Sequence, residues 1–209
     1  MLLYDAIRAL SDEYEHRLRK QIDQRMLAME NDDVSHYVLY QVLGIGKAEG
    51  KDIDLFQNKG RFLYKYAGSF LEEAARQCMI HKFPDASTAV VPNTMGQRPK
   101  NFGIDCLCPD GNAFEIKWRD ATTDGDHITK EHTRMKVIAD AGYKPMRVMF
   151  YYPNRDQAKR IQRTLETLYH GLGGEYHYGE NAWQFIHDYT GVDLLAVINR
   201  IAQEKVGNA

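Results

Sequence analysis

The chain is short of cysteine, of long apolar runs and of charge of one sign, and each shortage removes a class of protein. Three cysteines in 209 residues, Cys78, Cys106 and Cys108, cannot make a disulfide framework, whereas small secreted folds are built on a denser, even set. No apolar run approaches the roughly 18 residues that cross a bilayer. Met1-Leu2-Leu3-Tyr4-Asp5 leads into charge rather than into a signal-peptide core. A cytoplasmic protein without a membrane span is expected. With 27 Lys and Arg against 29 Asp and Glu, the formal net charge is -2, so any polyanion would have to be met by a local basic surface.

Cofactor fingerprints are missing as well. Gly44-Ile45-Gly46-Lys47-Ala48-Glu49-Gly50-Lys51 lacks the phosphate-loop spacing and ends in Asp52 instead of Ser or Thr. Gly171-Leu172-Gly173-Gly174 matches no dinucleotide pattern. Both read as linkers, and no nucleotide cofactor is expected. His127-Ile128-Thr129-Lys130-Glu131-His132 has one residue too many between its first His and the Glu for an inverted zincin helix. No zinc site is expected, and the histidines read as solvated or facing a ligand.

What the chain does have is a pair of apolar strands carrying charges. Phe102-Gly103-Ile104-Asp105-Cys106-Leu107-Cys108 and Ala113-Phe114-Glu115-Ile116-Lys117-Trp118 flank Pro109-Asp110-Gly111. Pro followed by Gly at these positions suits a three-residue hairpin loop with a bulge. Cys108 then pairs with Asn112, and the same register sets Asp105 opposite Glu115, with Cβ atoms about 4.5 to 5.5 Å apart on one sheet face. Alternation puts Lys117 on that face too, and Cys106 and Cys108 on the other as small buried side chains.

Two opposed carboxylates repel unless a cation lies between them. Mg²⁺ suits the pair, because it takes one or two carboxylates, keeps several waters and accepts substrate phosphate oxygens. Chance alone yields acid-x-base triplets roughly four times in a chain of this composition, so Glu115-Ile116-Lys117 is weak evidence by itself. Its setting is more telling. A solvated hairpin would not need Ile104, Leu107, Phe114, Ile116 and Trp118 around its charges.

These residues resemble the PD-(D/E)xK nuclease superfamily, in which an Asp on one strand precedes a Glu-x-Lys on its neighbour. Ile104 stands where the family has Pro. Gly68-Ser69-Phe70-Leu71-Glu72 looks like the helical segment that supplies a further acid in some members, giving Glu72, with Glu73 the competing choice. The nearest likeness is to type II restriction endonucleases of the ApaLI-like subgroup, carried by residues 58 to 75 and the hairpin. The resemblance implies an α/β fold, with a restriction-endonuclease-like core of mixed β-sheet flanked by helices. It also implies Mg²⁺-dependent cleavage of double-stranded DNA, usually by a homodimer on a palindrome. Asp105 and Glu115 would hold the metal and Lys117 would assist the attacking water. Alternatives are a repair, nicking or junction-resolving nuclease of the same fold, or a DNA-binding module without hydrolysis.

Elsewhere, Tyr4, Ile7, Leu10, Tyr14, Leu18, Ile22 and Met26 recur at helical spacing. Further helices are expected over 34–43, 60–81, 127–141, 154–170 with Asn154 as cap, 183–189 and 192–202. Strands are expected at Ala89-Val90-Val91, in the hairpin, and as a buried central strand over the apolar run from Met146 to Tyr152. One nuclease domain spanning 1–209 is expected, with 1–43 a helical N-terminal extension and additional C-terminal helices.

DNA contacts are expected from the loops beside the hairpin: Gln97, Arg98 and Lys100 before it, and Arg119, Thr122, Thr123, Asp124, His127 and Lys130 after it, with Asn93 and Asp126 nearby. Basic groups available to phosphates include Lys130 with Arg134 and Lys136, and Arg155, Lys159, Arg160 and Arg163 on one helix.

Overall fold

A computed structural model describes residues 2–120 and 122–207; Met1, Ala121, Asn208 and Ala209, which fall within the span expected as one domain, lie outside the described residues. In chain order the elements are α1 (Leu3–Met29), α2 (Tyr37–Val42), α3 (Lys47–Lys82), β1 (Ser87–Pro92), β2 (Asn101–Leu107), β3 (Asn112–Arg119), α4 (Asp126–Asp140), β4 (Lys144–Tyr151), α5 (Asp156–Gly171), β5 (Glu175–Tyr178), α6 (Glu180–Thr190) and α7 (Leu194–Gly207). The five strands form one sheet in the order β1-β2-β3-β4-β5. The first three run antiparallel and the last three parallel. This is the mixed α/β sheet with flanking and terminal helices that the sequence implies.

Next to its turn the hairpin forms in the expected register, but the pairing ends at Cys106 and does not set Asp105 directly opposite Glu115. Cys106 pairs with Phe114 and Leu107 with Ala113, the Cys108 N–H donates to the Asn112 carbonyl at 3.0 Å, and Gly111 takes φ +87°, a conformation only glycine adopts without strain. Parallel pairing then needs crossover helices, which α4 and α5 supply between β3 and β4 and between β4 and β5.

Alternation along the strands divides the sheet into two faces. On one, Val91, Phe102, Ile104 and Ala113 pack on Val137 and Ile138 of α4, and Met149 and Tyr176 pack on Met135, Ile161, Leu165 and Tyr169 of α4 and α5. On the other, Phe114 meets Phe185 and Tyr189, and Phe150 meets Trp183, all from α6. Cys106 and Cys108 are buried, free thiols.

One irregularity shapes the site. Ala89 pairs with Ile104 but Ser87 with Leu107, so Asp105 and Cys106 together oppose Thr88. This bulge lets Ile104 and Leu107, three residues apart, serve the same cluster. A regular strand would send them to opposite faces. It also turns Asp105 toward the α4 side next to Ile104.

Several sequence expectations need correction. Helix α3 begins at Lys47, so the glycine-rich stretch read as a linker is partly helical. Gly50 is accommodated because a Cβ there would lie 2.7 Å from the Tyr40 ring, and its absence lets α2 and α3 approach. Asn154 does not cap α5; the N-cap position is Arg155, without a side-chain cap bond. β5 was not anticipated, since four residues, Glu175-Tyr176-His177-Tyr178, give too short a pattern to read.

The chain divides into two compact units, residues 8–70 and residues 1–7 with 71–209. Within the first, α1 and α3 meet through Tyr14 against Tyr66 and Phe70 and through Arg25, whose Nε donates to Asn58 Oδ1 at 3.2 Å. The second holds the whole sheet, α4 to α7 and the site described next.

Candidate active site

Asp105 and Glu115 stand on adjacent strands but not simply face to face. The Ile116 N–H donates to Asp105 Oδ2 at 2.8 Å, so beyond Cys106 a carboxylate takes the place of a carbonyl in the ladder and fixes the Asp105 side chain against β3. Glu115 presents two oxygens to two cations: Lys117 Nζ lies 2.7 Å from Oε1, and the Arg134 guanidinium contacts Oε2. Lys117 also lies 3.8 Å from Glu72 Oε1 on α3. Glu73, the other candidate, is committed to Arg76 at 2.5 Å and to Gln77 at 3.0 Å.

Behind Glu115 the ion pairs continue inward. Arg134 NH1 donates to Glu131 Oε1 at 3.0 Å and Arg134 NH2 to the Gly103 carbonyl at 3.1 Å. Glu131 Oε1 also accepts from Arg147 NH1 at 3.2 Å and from the Tyr169 hydroxyl at 2.7 Å. Arg147 NH2 reaches Asp120 Oδ2 at 2.7 Å, and His127 Nε2 lies 2.9 Å from the same oxygen. The result is a line of alternating charge, Glu72, Lys117, Glu115, Arg134, Glu131, Arg147, Asp120. Side-chain exposure is 33 % for Glu72 and 31 % for Lys117, 12 % for Glu115 and 0 % for Arg147, so the Glu72–Lys117 end is open to a large ligand and the middle of the line is not.

The electrostatics follow from that gradient. Burial pushes Glu72 up to about 7, Lys117 works against the rise, and Asp105 and Glu115 add to it. Burial likewise raises Glu115, opposed by Arg134 and Lys117. Despite its own burial, Glu131 is held below the usual carboxylate range by Arg147 and Arg134, and Asp120 by His127 and Arg147. Desolvation alone would lower Lys117, but Glu115, Asp105 and Glu72 raise it and keep it an ammonium.

These residues suit a hard divalent cation. Asp105 and Glu115 both push Glu72 up, and Asp105 pushes Glu115 up, as neighbouring like charges do, and carboxylate oxygens are the donors that Mg²⁺ takes. Among the described residues no three His, Cys, Asp or Glu side chains already converge as a metal cage. The fit is to a site of one or two carboxylates completed by water and substrate.

The expected DNA-contact residues separate into two groups. Gln97, Arg98 and Lys100 are exposed in the loop joining β1 to β2. Arg119, Thr123, Asp124 and Lys130 are exposed around the end of β3 and the start of α4. Thr122 and His127 are half-buried, and the loop uses its own polar groups internally: the Thr122 N–H donates to Asp120, the Asp124 N–H to Thr122 and the Asp126 N–H to Asp124. His127 is partly exposed, with Nε2 set against Asp120. Arg134, read as a phosphate contact beside Lys130, is buried and belongs to the ion-pair line. Arg155 at the N-cap of α5 and Arg160 and Arg163 within it are exposed, and Lys159 is half-buried.

Sequence reasoning missed the ion-pair roles of Glu131, Arg147 and Asp120 and gave Arg134 a different one. One signal was present: Arg147 interrupts an apolar strand bounded by Pro145 and Pro153, and an Arg in such a place is buried only if paired.

A family model for ApaLI-like restriction endonucleases matches residues 1–203. No curated protein and no solved structure gives a match.

Proposed function

The chain belongs to the ApaLI-like restriction endonuclease family, and on that footing we propose that it is a type II restriction endonuclease hydrolysing phosphodiester bonds at a specific sequence in double-stranded DNA, with Mg²⁺, in the cytoplasm. The observation that carries the residue assignment is the convergence of Asp105, Glu115 and Lys117 at the exposed end of an otherwise buried ion-pair line.

Asp105 and Glu115 would hold the metal, with Glu72 completing its surroundings. Bound there, Mg²⁺ would supply Lewis-acid stabilisation of negative charge and favour ionisation of water. Lys117, kept charged by three carboxylates, donates hydrogen bonds that orient the attacking water and offset the charge developing on the phosphate. Bonds to Ile116 N–H and Arg134 keep the two carboxylates in place before substrate arrives, which is the preorganisation that electrostatic catalysis needs.

The segment 93–100 before the hairpin, and the end of β3 with the start of α4 after it, carry exposed Gln97, Arg98, Lys100, Arg119, Thr123, Asp124 and Lys130. With Thr122 and His127 shaping the second loop, they are the groups assigned to base edges and phosphates. The chain acts as a homodimer, so that a two-fold protein axis matches a two-fold site.

Digestion of plasmid DNA tests this reading. Discrete double-strand fragments with Mg²⁺, lost on chelation and in Asp105→Ala while duplex binding persists, are expected. Random nicking, or cleavage undiminished in Asp105→Ala, contradicts it.

A further inference from the structure

Glu115 is touched by two cations, and the two differ in kind. Lys117 lies on the exposed side, whereas Arg134 is buried and fixed on three sides. Its guanidinium contacts Glu115 on β3, the Gly103 carbonyl on β2 and Glu131 on its own helix. Gly103 is two residues from Asp105. One planar group therefore ties together the two strands that carry the metal-site carboxylates.

Arg134 is itself held from behind. Its acceptor Glu131 also takes the Tyr169 hydroxyl and Arg147, and Arg147 is anchored to Asp120. Arg134 is buried and its guanidinium is engaged by Glu115, the Gly103 carbonyl and Glu131, so it serves these acceptors rather than a DNA phosphate. Its contact with Glu115 Oε2 leaves Oε1 as the oxygen on the open side, beside Lys117. Asp105 is divided in the same manner, with Oδ2 bound by the Ile116 N–H.

We propose that Arg134 is a positioning residue for the metal site: it sets the separation of the strands carrying Asp105 and Glu115 and commits Glu115 Oε2, so that each carboxylate offers one oxygen to a cation. This rests on the function proposed above. Lysine cannot replace it, because an ammonium lacks the planar fork that meets three acceptors at fixed angles.

Mn²⁺ binding to the full-length protein, measured by calorimetry without DNA and alongside thermal melting, tests the assignment. Arg134→Lys is expected to fold and to bind a duplex in Ca²⁺ as the parent does, but to weaken Mn²⁺ binding by about 10- to 100-fold, the usual scale for a group that orients a ligand. The Mg²⁺ concentration for half-maximal cleavage should rise in parallel. A folded Arg134→Lys with parental Mn²⁺ affinity overturns the proposal. Should that variant fail to fold, Glu131→Gln, which loosens the anchor of Arg134 without touching Glu115, is expected to weaken Mn²⁺ binding in the same direction, and parental affinity there overturns it equally. Asp105→Ala separates the two levels. If it abolishes Mn²⁺ binding while Arg134→Lys changes nothing, only the positioning role falls; if Asp105→Ala leaves binding intact, the metal-site reading falls with it.

Discussion

The two faces of one sheet are built from alternate residues of the same strands, yet they follow opposite rules. Toward α6, β3 and β4 send Phe114 and Phe150 against Phe185, Tyr189 and Trp183. Toward α4 and α5 the same strands send Glu115, Lys117 and Arg147 into a line of ion pairs. The aromatic face needs only volume and shape, and its contribution scales with the apolar surface removed from water. The charged face carries the desolvation of several ions, which their mutual attraction offsets only while every partner is present. Buried Arg147 is held by Asp120 and Glu131, and an apolar residue in its place would carry no such desolvation.

Substitutions on the two faces should therefore fail differently. Asp105→Ala is expected to lower the cleavage rate by about 10³-fold, the scale of losing a preorganised charged group, with little change in urea midpoint. Phe114→Ala on the opposite face should cost about 3 to 5 kcal/mol of stability and leave the rate per folded molecule unchanged. If Phe114→Ala slowed single-turnover cleavage as much as Asp105→Ala, the faces would not be separable.

Arg147→Ala sharpens the contrast from the charged side. Removing Arg147 takes a fully buried counter-charge from both Glu131 and Asp120, with an expected loss of about 3 to 5 kcal/mol in urea unfolding. The exposed pair of Lys144 with Glu175, at 2.5 Å but about 40 % exposed on both sides, should give under about 1 kcal/mol when Lys144 becomes Gln.

Acidity separates the two ends of the ion-pair line with a smaller effect. Glu72, pushed up to about 7 by burial, is favoured protonated in the fold. Its stabilising contribution is complete below its ordinary value of 4.5 and is lost as pH rises through about 7. Asp120 is lowered, so its contribution is present above the ordinary carboxylate range and is lost on acidification. Stability measured from pH 4.5 to 8 should decline less in Glu72→Gln than in the parent, and an unchanged slope would remove Glu72 from the desolvated set.

The hairpin was legible in the sequence because its determinants are local: Pro109 and Gly111 set the turn, and the turn sets the register that carries Asp105 toward Glu115. The bulge at Asp105 was not, since it arises from pairing with β1, 16 residues upstream at Ala89. Arg134 and Glu131 read as ordinary surface charges of an amphipathic helix, three residues apart. Only the docking of α4 on β3 and β4 makes them interior. The glycine-rich pattern hides the first turns of α3, because glycine disfavours helix in general, whereas here Gly50 allows close packing on Tyr40. The longer-range the contact, the less of it the residue pattern carries.

The most direct test of the metal-site assignment is an anomalous difference map from crystals of the Lys117→Ala variant, grown with duplex DNA and Mn²⁺ so that cleavage is arrested. A peak in contact with one oxygen of Asp105 and one of Glu115 is the expected result. Saturating Mn²⁺ with no peak there, or a peak elsewhere in the fold, would contradict the assignment of those two carboxylates to the metal.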